Sequence, residues 1–198
     1  MVDGAVRLNR LGLERGRTWS AVVMAILVFA PAVIWSHWNN SVSGERELSA
    51  GDRFVLTAVG TPDAPGTGTV VVTVPDDDGW TTDTGNNRAS RIDLVHGPAV
   101  VEVTAVAGVN DMSVLFDRQR RDQSNADPAM FTTGKRSYES PTGLTGYAGN
   151  MTGERYSGVL IVVGRGAVAA VVVAYAPLGR LDGETKAIEQ ILATLEVS

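Results

Sequence analysis

The longest apolar stretch of the chain lies near its start, within residues 18–38. A helix of that length spans about 30 Å, which matches the hydrocarbon core of a bilayer. Tryptophans stand at both ends of the stretch, as Trp19, Trp35 and Trp38, and indole rings prefer the level of the lipid headgroups. The pattern therefore predicts one transmembrane helix that anchors the chain.

Charge around this stretch predicts its orientation. Arginines precede it at Arg7, Arg10, Arg15 and Arg17, and the next basic residue is Arg46. Because basic residues favour the cytoplasmic side of a membrane, residues 1–17 are predicted to be a cytoplasmic tip of a single-pass protein of the plasma membrane. The C-terminal part is then extracytoplasmic.

A cleaved signal peptide is the alternative interpretation of the same stretch. The arginines, the apolar residues 21–29 and the small residues Ala30 and Ala32 around Pro31 also fit a signal sequence that is cleaved near Ala32. Both interpretations export the remainder of the chain.

Residues 39–52 are small and polar without an apolar period, and this composition predicts a linker. Residues 53–198 are long enough to bury a core and are predicted to form one extracytoplasmic domain. Within that domain, β-branched or alternating apolar runs predict strands at 53–59, 69–74, 91–95, 99–106, about 143–150, 158–163 and 167–175.

Two further segments have the helical period. Residues 110–123 begin with Asn110 or Asp111 as N-cap. Residues 181–195 place apolar side chains on one face. The predicted order β-β-β-β-α-β-β-β-α indicates an α+β fold with a mostly antiparallel sheet and two helices on one face. Residues 60–68, 80–90 and most of 130–153 are predicted to be loops.

Composition narrows the possible functions. The chain has a formal net charge of −5 and no cysteine. An acidic protein is a poor partner for nucleic acid, and the absence of cysteine excludes disulfides, thiol catalysis and cysteine-ligated zinc. Abundant Ala, Gly, Val and Arg with little Lys is typical of a high-GC bacterium.

Candidate chemistry is sparse. The two histidines, His37 and His96, lie far apart in the sequence, which argues against a His-centred triad or a multi-histidine metal site. The acidic run at residues 76–78 lacks the alternating spacing of a calcium loop. We therefore predict no catalytic residue, no metal and no cofactor.

The domain contains one cluster of basic residues. Arg118, Arg120 and Arg121 lie at the end of the first predicted helix, and Lys135 and Arg136 follow. Guanidinium groups bind carboxylates and phosphates in a bidentate manner. This segment could receive an anionic lipid headgroup or the acidic patch of a partner.

The Gly-rich segment that follows carries the apolar and aromatic residues Met130, Phe131, Tyr138 and Tyr147. Such a segment beside a sheet could line an apolar groove for a lipid or a peptide. These four residues and the three arginines form the predicted ligand or partner surface.

From residue 69 on, the motifs VVVTVPDDDGW, GLTGYAGNM, GVLIVV…AVAAVVVAY and AIEQILATLEVS resemble the Mog1/PsbP-like α+β fold. This resemblance implies a binding or accessory module and transfers no site residue. The whole layout is also similar to the membrane-anchored, secreted alanine-rich envelope proteins of actinobacteria, which implies a role in the envelope permeability barrier.

Together these observations predict a membrane-anchored extracytoplasmic binding or accessory protein, not an enzyme, that supports cell-envelope integrity. Its partner is expected to be another envelope protein or a lipid. A lipid or small-ligand binding module is one alternative. An uncharacterised hydrolase is another, with Asp122, Glu139 and Glu154 as its scattered carboxylates.

Overall fold

The computed structural model describes residues 44–198, except for 62–63, 76–78 and 127. The predicted cytoplasmic tip and membrane anchor lie outside the described residues. Within the described residues, no helix is both long enough and apolar enough to cross a membrane.

The described residues form the following elements in chain order: β1 (Glu45–Glu47), β2 (Arg53–Thr61), β3 (Ala64–Thr73), β4 (Trp80–Asp83), β5 (Arg91–His96), β6 (Ala99–Ala107), α1 (Met112–Ser124), β7 (Met130–Glu139), β8 (Thr145–Gly153), β9 (Tyr156–Arg165), β10 (Val168–Pro177), α2 (Leu181–Ala193) and β11 (Glu196–Val197).

Two antiparallel sheets organise these strands. The larger sheet has eight strands in the order β1-β4-β5-β6-β10-β9-β8-β7, and the smaller sheet has three strands in the order β11-β3-β2. Strand β10 lies inside the larger sheet between β6 and β9. Its sequence VAAVVVAYAP is buried along most of its length, as expected for a strand that is covered on both faces.

The two helices cover opposite faces of the larger sheet. Val171 of β10 shares a core with Phe116 of α1, whereas the next residue, Val172, shares a core with Ile191 of α2. The prediction of two helices on one face is therefore wrong. Successive side chains of a strand point to opposite faces, and the nearly uniform Val and Ala of β10 suit a helix on either side.

Helix α1 begins as its sequence predicts. Asp111 is the N-cap, and its Oδ1 accepts hydrogen bonds from the N–H groups of Ser113 at 2.7 Å and Val114 at 3.4 Å. These bonds satisfy two of the amide donors that the first turn leaves without a helical partner. Leu115 and Phe116 are buried and fix which face of α1 packs on the sheet.

Several predicted elements are confirmed, among them both helices and the strands that pair as the β5–β6 and β9–β10 hairpins. Three predicted loops are wrong: residues 60–68 are mostly strand, residues 80–90 contain β4, and residues 130–139 form strand β7. The strand predicted at about 143–150 is confirmed as β8, which pairs with β7. Strand β7 lies at a sheet edge and contains an irregularity between Thr133 and Arg136, so its side chains do not alternate regularly.

The N-terminal part of the described chain is also folded. Strand β1 pairs with β4, and the adjacent Leu48 belongs to the core on the α2 side of the sheet. Residues 44–48, which fall in the predicted linker, thus contribute to the folded unit that runs from Gly44 to Ser198.

Candidate functional site

A cleft of about 450 Å³ lies where helix α1 and the loop before it meet strands β2, β3 and β6. Its walls include Val59, Ala64, Val106, Val114, Arg118 and Gln119. The volume falls in the range of small-molecule sites, which are mostly apolar with a few polar groups.

Two large apolar side chains in this cleft are open to solvent. Val59 of β2 is 73% exposed and Val114 of α1 is 63% exposed. Both line the cleft, although they come from segments far apart in the sequence. Because single exposed valines are common on protein surfaces, the relevant observation is that these two share one concavity.

Gly108 allows the cleft to have this shape. Its φ of +73° is a left-handed conformation that side-chain-bearing residues seldom adopt. A Cβ at this position would collide with the carbonyl oxygen of Ala64. The glycine therefore lets β3 approach the loop between β6 and α1 closely at the floor of the cleft.

The three predicted arginines have different surroundings. Arg118 lines the cleft. Arg120 lies 3.8 Å from Asp117 in an exposed ion pair, and Arg121 lies in the last turn of α1. Of the three, Arg118 is the one that lines the cleft and could interact with a bound molecule.

The predicted apolar and aromatic residues are not gathered in one groove. Met130 is buried in the core beside α1, whereas Phe131 is 61% exposed on edge strand β7. Tyr138 and Tyr147 border a second cleft of about 450 Å³ at the edge of the larger sheet. Burial, with the charge of Glu189 nearby, raises the pKa of Tyr138.

Lys135 belongs to the support of α1 and not to an open basic patch. Its Nζ donates hydrogen bonds to Oδ2 of Asp117 at 2.8 Å and to Oγ of Ser113 at 2.6 Å. The ammonium also lies 5.4 Å and 4.8 Å from the ring centroids of Phe116 and Tyr147, within the range of cation–π attraction. These contacts fix the helix that forms one wall of the cleft.

A charged cluster that no sequence motif indicates lies on the same face of the larger sheet as α1. Asp93 and Glu102 stand directly opposite each other on β5 and β6. Arg91 contacts both carboxylates, at 3.0 Å in each case. Burial raises the pKa of Glu102, and the charge of Arg91 partly offsets that effect. Only the alternation of Glu102 and Thr104 with buried valines could have indicated this polar patch.

The remaining candidates for chemistry are dispersed. Nδ1 of His96 lies 2.6 Å from Oε2 of Glu184, a contact that joins the β5–β6 turn to the first turn of α2. Asp122 lies on α1, Glu139 ends β7 and Glu154 lies in the β8–β9 turn. Strand β8 separates the last two, so they do not form a carboxylate pair.

The described residues contain no group of three or more metal-ligating side chains. Among the clefts formed by the described residues, the one beside α1 is lined by two mostly exposed valines together with Arg118.

Comparison with known proteins gives similarity in structure and not in sequence. No protein-family model matches the sequence, and no significant relative is found among the curated proteins. The solution structure of cyanobacterial PsbP (CyanoP) from Synechocystis sp. PCC 6803 is similar with a TM-score of 0.49 and 10% identity, over 76% of this chain and 94% of that one.

Two crystal structures are similar at a lower level. LpqN, described as involved in cell envelope biogenesis of Mycobacterium tuberculosis, has a TM-score of 0.39 and 11% identity over 78% of this chain and 83% of its own. A protein from Bacteroides thetaiotaomicron has a TM-score of 0.39 and 16% identity over 75% of this chain and 49% of its own.

Proposed function

We propose that the protein is a membrane-anchored extracytoplasmic binding protein that supports the cell envelope by holding a partner molecule in the cleft beside α1. The observation that carries this proposal is the shared position of Val59 and Val114. Both side chains are mostly exposed and both line one cleft of about 450 Å³. Covering them with a ligand would remove apolar surface from water, which is favourable.

The contacts that hold α1 against the sheet favour a preformed site. Lys135 joins the helix to edge strand β7 through Ser113 and Asp117, and Phe116 is completely buried beneath it. A wall that is held in this way loses little conformational entropy when a ligand binds. A rigid wall of this kind suits a binding protein, which needs no catalytic group.

Photocrosslinking in cells tests the proposal. A photoreactive amino acid replaces Val114 in the full-length protein, and the crosslinked molecules are identified by mass spectrometry. A matched variant carries the same group at Leu178, which is 52% exposed and follows β10 in the chain, away from the cleft. We expect a defined lipid or envelope protein from position 114 and not from position 178. Equal recovery of the same molecules from both positions would overturn the proposal.

The location of the protein is tested separately. We expect a C-terminal tag to be degraded by protease added to spheroplasts of the producing bacterium, because the arginines before the predicted anchor favour a cytoplasmic N-terminus. A tag that is degraded only after the membrane has been broken would contradict the predicted orientation.

A further inference from the structure

We infer that the cleft beside α1 binds a single-chain anionic lipid, with its acyl chain against the valines and its charged head on Arg118. This inference rests on the proposed binding role of the cleft and names the class of ligand. Its basis is the distribution of charge along the helix that forms one wall.

The two charged residues on this wall of the cleft, Asp111 and Arg118, lie apart along α1. Asp111, Val114 and Arg118 line the cleft together, because residues spaced by three or four positions share one face of a helix. Asp111 and Arg118 are seven residues apart, which corresponds to about 10 Å along the helix axis. The negative group lies at the start of α1 and the positive group lies two turns further on.

Asp111 and Arg118 differ in whether they are free to contact a bound anion. Oδ1 of Asp111 accepts the hydrogen bonds of the N-cap, so the first-turn amides that it holds are not free for an anion. Arg118 is exposed, and no ion-pair partner of it lies among the described residues, which are 44–61, 64–75, 79–126 and 128–198. An anionic head is repelled at the first end and attracted at the second.

Two arginines, Arg91 and Arg120, contrast with Arg118 because they are paired with carboxylates. The guanidinium of Arg91 contacts Asp93 and Glu102, and Arg120 pairs with Asp117. A planar guanidinium that is not neutralised can bind a carboxylate or phosphate with two parallel hydrogen bonds. Since the chain as a whole is acidic, attraction of an anion to the cleft depends on this local charge and not on the overall field.

The apolar walls match an acyl chain. Val59, Val106 and Val114 line the cleft from two strands and the helix, and none of them offers a hydrogen bond. A flexible hydrocarbon chain can lie against these three valines without burying any polar atom of theirs, while Asn110, Asp111 and Gln119 provide the polar part of the lining. A site of about 450 Å³ is also of the size that accepts a small amphiphile, in contrast to the larger flat area that a folded protein partner buries.

Photolabelling of the full-length protein in vesicles of neutral phosphatidylcholine tests the inference. The probes are a diazirine derivative of palmitic acid and the corresponding uncharged alcohol. The variants are Arg118→Gln and Arg120→Gln, which remove one positive charge each from neighbouring positions of α1. Equal thermal unfolding of the two variants confirms that both are folded.

We expect Arg118→Gln to lower labelling of the cleft by the acid about fivefold to tenfold and to leave labelling by the alcohol unchanged. Arg120→Gln is expected to change labelling by the acid less than twofold. Equal loss in both variants, or equal labelling of the wild type by acid and alcohol, would overturn the inference and leave the proposed binding role standing. If neither probe labels the cleft and the crosslinker at position 114 captures a protein instead, the ligand class is wrong while the binding role is supported.

Discussion

Nζ of Lys135 lies 2.8 Å from Oδ2 of Asp117, and this ion pair joins edge strand β7 to helix α1. The same ammonium donates a hydrogen bond to Ser113 on the first turn of the helix. One side chain thus holds two turns of α1 against the sheet. Val114 and Arg118, which follow Ser113 and Asp117 in the helix, line the cleft, so the contact holds the segment that forms this wall.

Replacing Lys135 by methionine should lower stability in a way that depends on pH. The hydrogen bond from Lys135 lowers the pKa of Asp117 below its ordinary value. A carboxyl group with a lowered pKa in the folded state contributes stability that is complete above its unfolded pKa of about 3.9, and this contribution disappears as the pH falls through the folded value. We therefore expect the difference in unfolding free energy between wild type and Lys135→Met to be larger at pH 7 than at pH 2.5.

Urea unfolding at the two pH values measures this difference. The control is Lys186→Met, which changes the other lysine of the chain at an exposed position of α2. A loss of stability of the same size in both variants, or one that does not change with pH, would show that the contact with Asp117 does not stabilise the helix.

Phe116→Ala should be the most damaging single substitution in α1. Phe116 is completely buried, and truncation of such a phenylalanine usually costs about 3–5 kcal/mol of unfolding free energy. Val114→Ala, two residues earlier, should change it by less than about 0.5 kcal/mol because Val114 is mostly exposed. Chemical denaturation of both variants compares the two effects, and a similar cost for both would contradict the packing of α1 described above.

Relative to the wild type, Glu102→Gln should have a more favourable effect on the unfolding free energy at neutral pH than at acid pH. Burial raises the pKa of Glu102 in the folded protein. A carboxyl group with a raised folded pKa binds its proton more tightly in the folded state, so its contribution to stability decreases as the pH rises from the unfolded pKa, about 4.3, through the folded value. The glutamine has no charge to bury, and this component of the pH dependence should vanish.

Thermal unfolding at a series of pH values between 4 and 8 follows this component. Glu139→Gln is the matched control because Glu139 is exposed at the end of β7. If the pH profile of Glu102→Gln coincides with that of wild type, the contact with Arg91 cancels the effect of burial and the pKa of Glu102 is not raised.

Some of this structure could be predicted because its signals are local. The glycine-bounded hairpin of β9 and β10 and the N-cap at Asp111 each depend on a short segment. The β7–β8 hairpin could not be predicted as a whole from the sequence, because β7 is a polar edge strand with an irregularity after Thr133. The face on which each helix packs is set by the connections between strands, and alternating valines do not encode it.

The candidate site was only partly accessible from the sequence for a similar reason. Arg118 was found because it stands in a basic segment. Val59 and Val106 join it only through the packing of β2 and β6 against the start of α1. No spacing in the sequence connects these residues, so the cleft had no signature before the fold was known.

The measurement that tests the central claim most directly is binding of a fluorescent single-chain fatty acid to the full-length protein and to Val114→Asp, with Leu178→Asp as the control. An aspartate at position 114 places a charge on the apolar wall, and at an exposed site in the first turn of a helix it should not impair folding. We predict that Val114→Asp weakens binding at least tenfold and that Leu178→Asp binds like the wild type. Equal affinity of all three proteins would contradict the assignment of the cleft as the binding site.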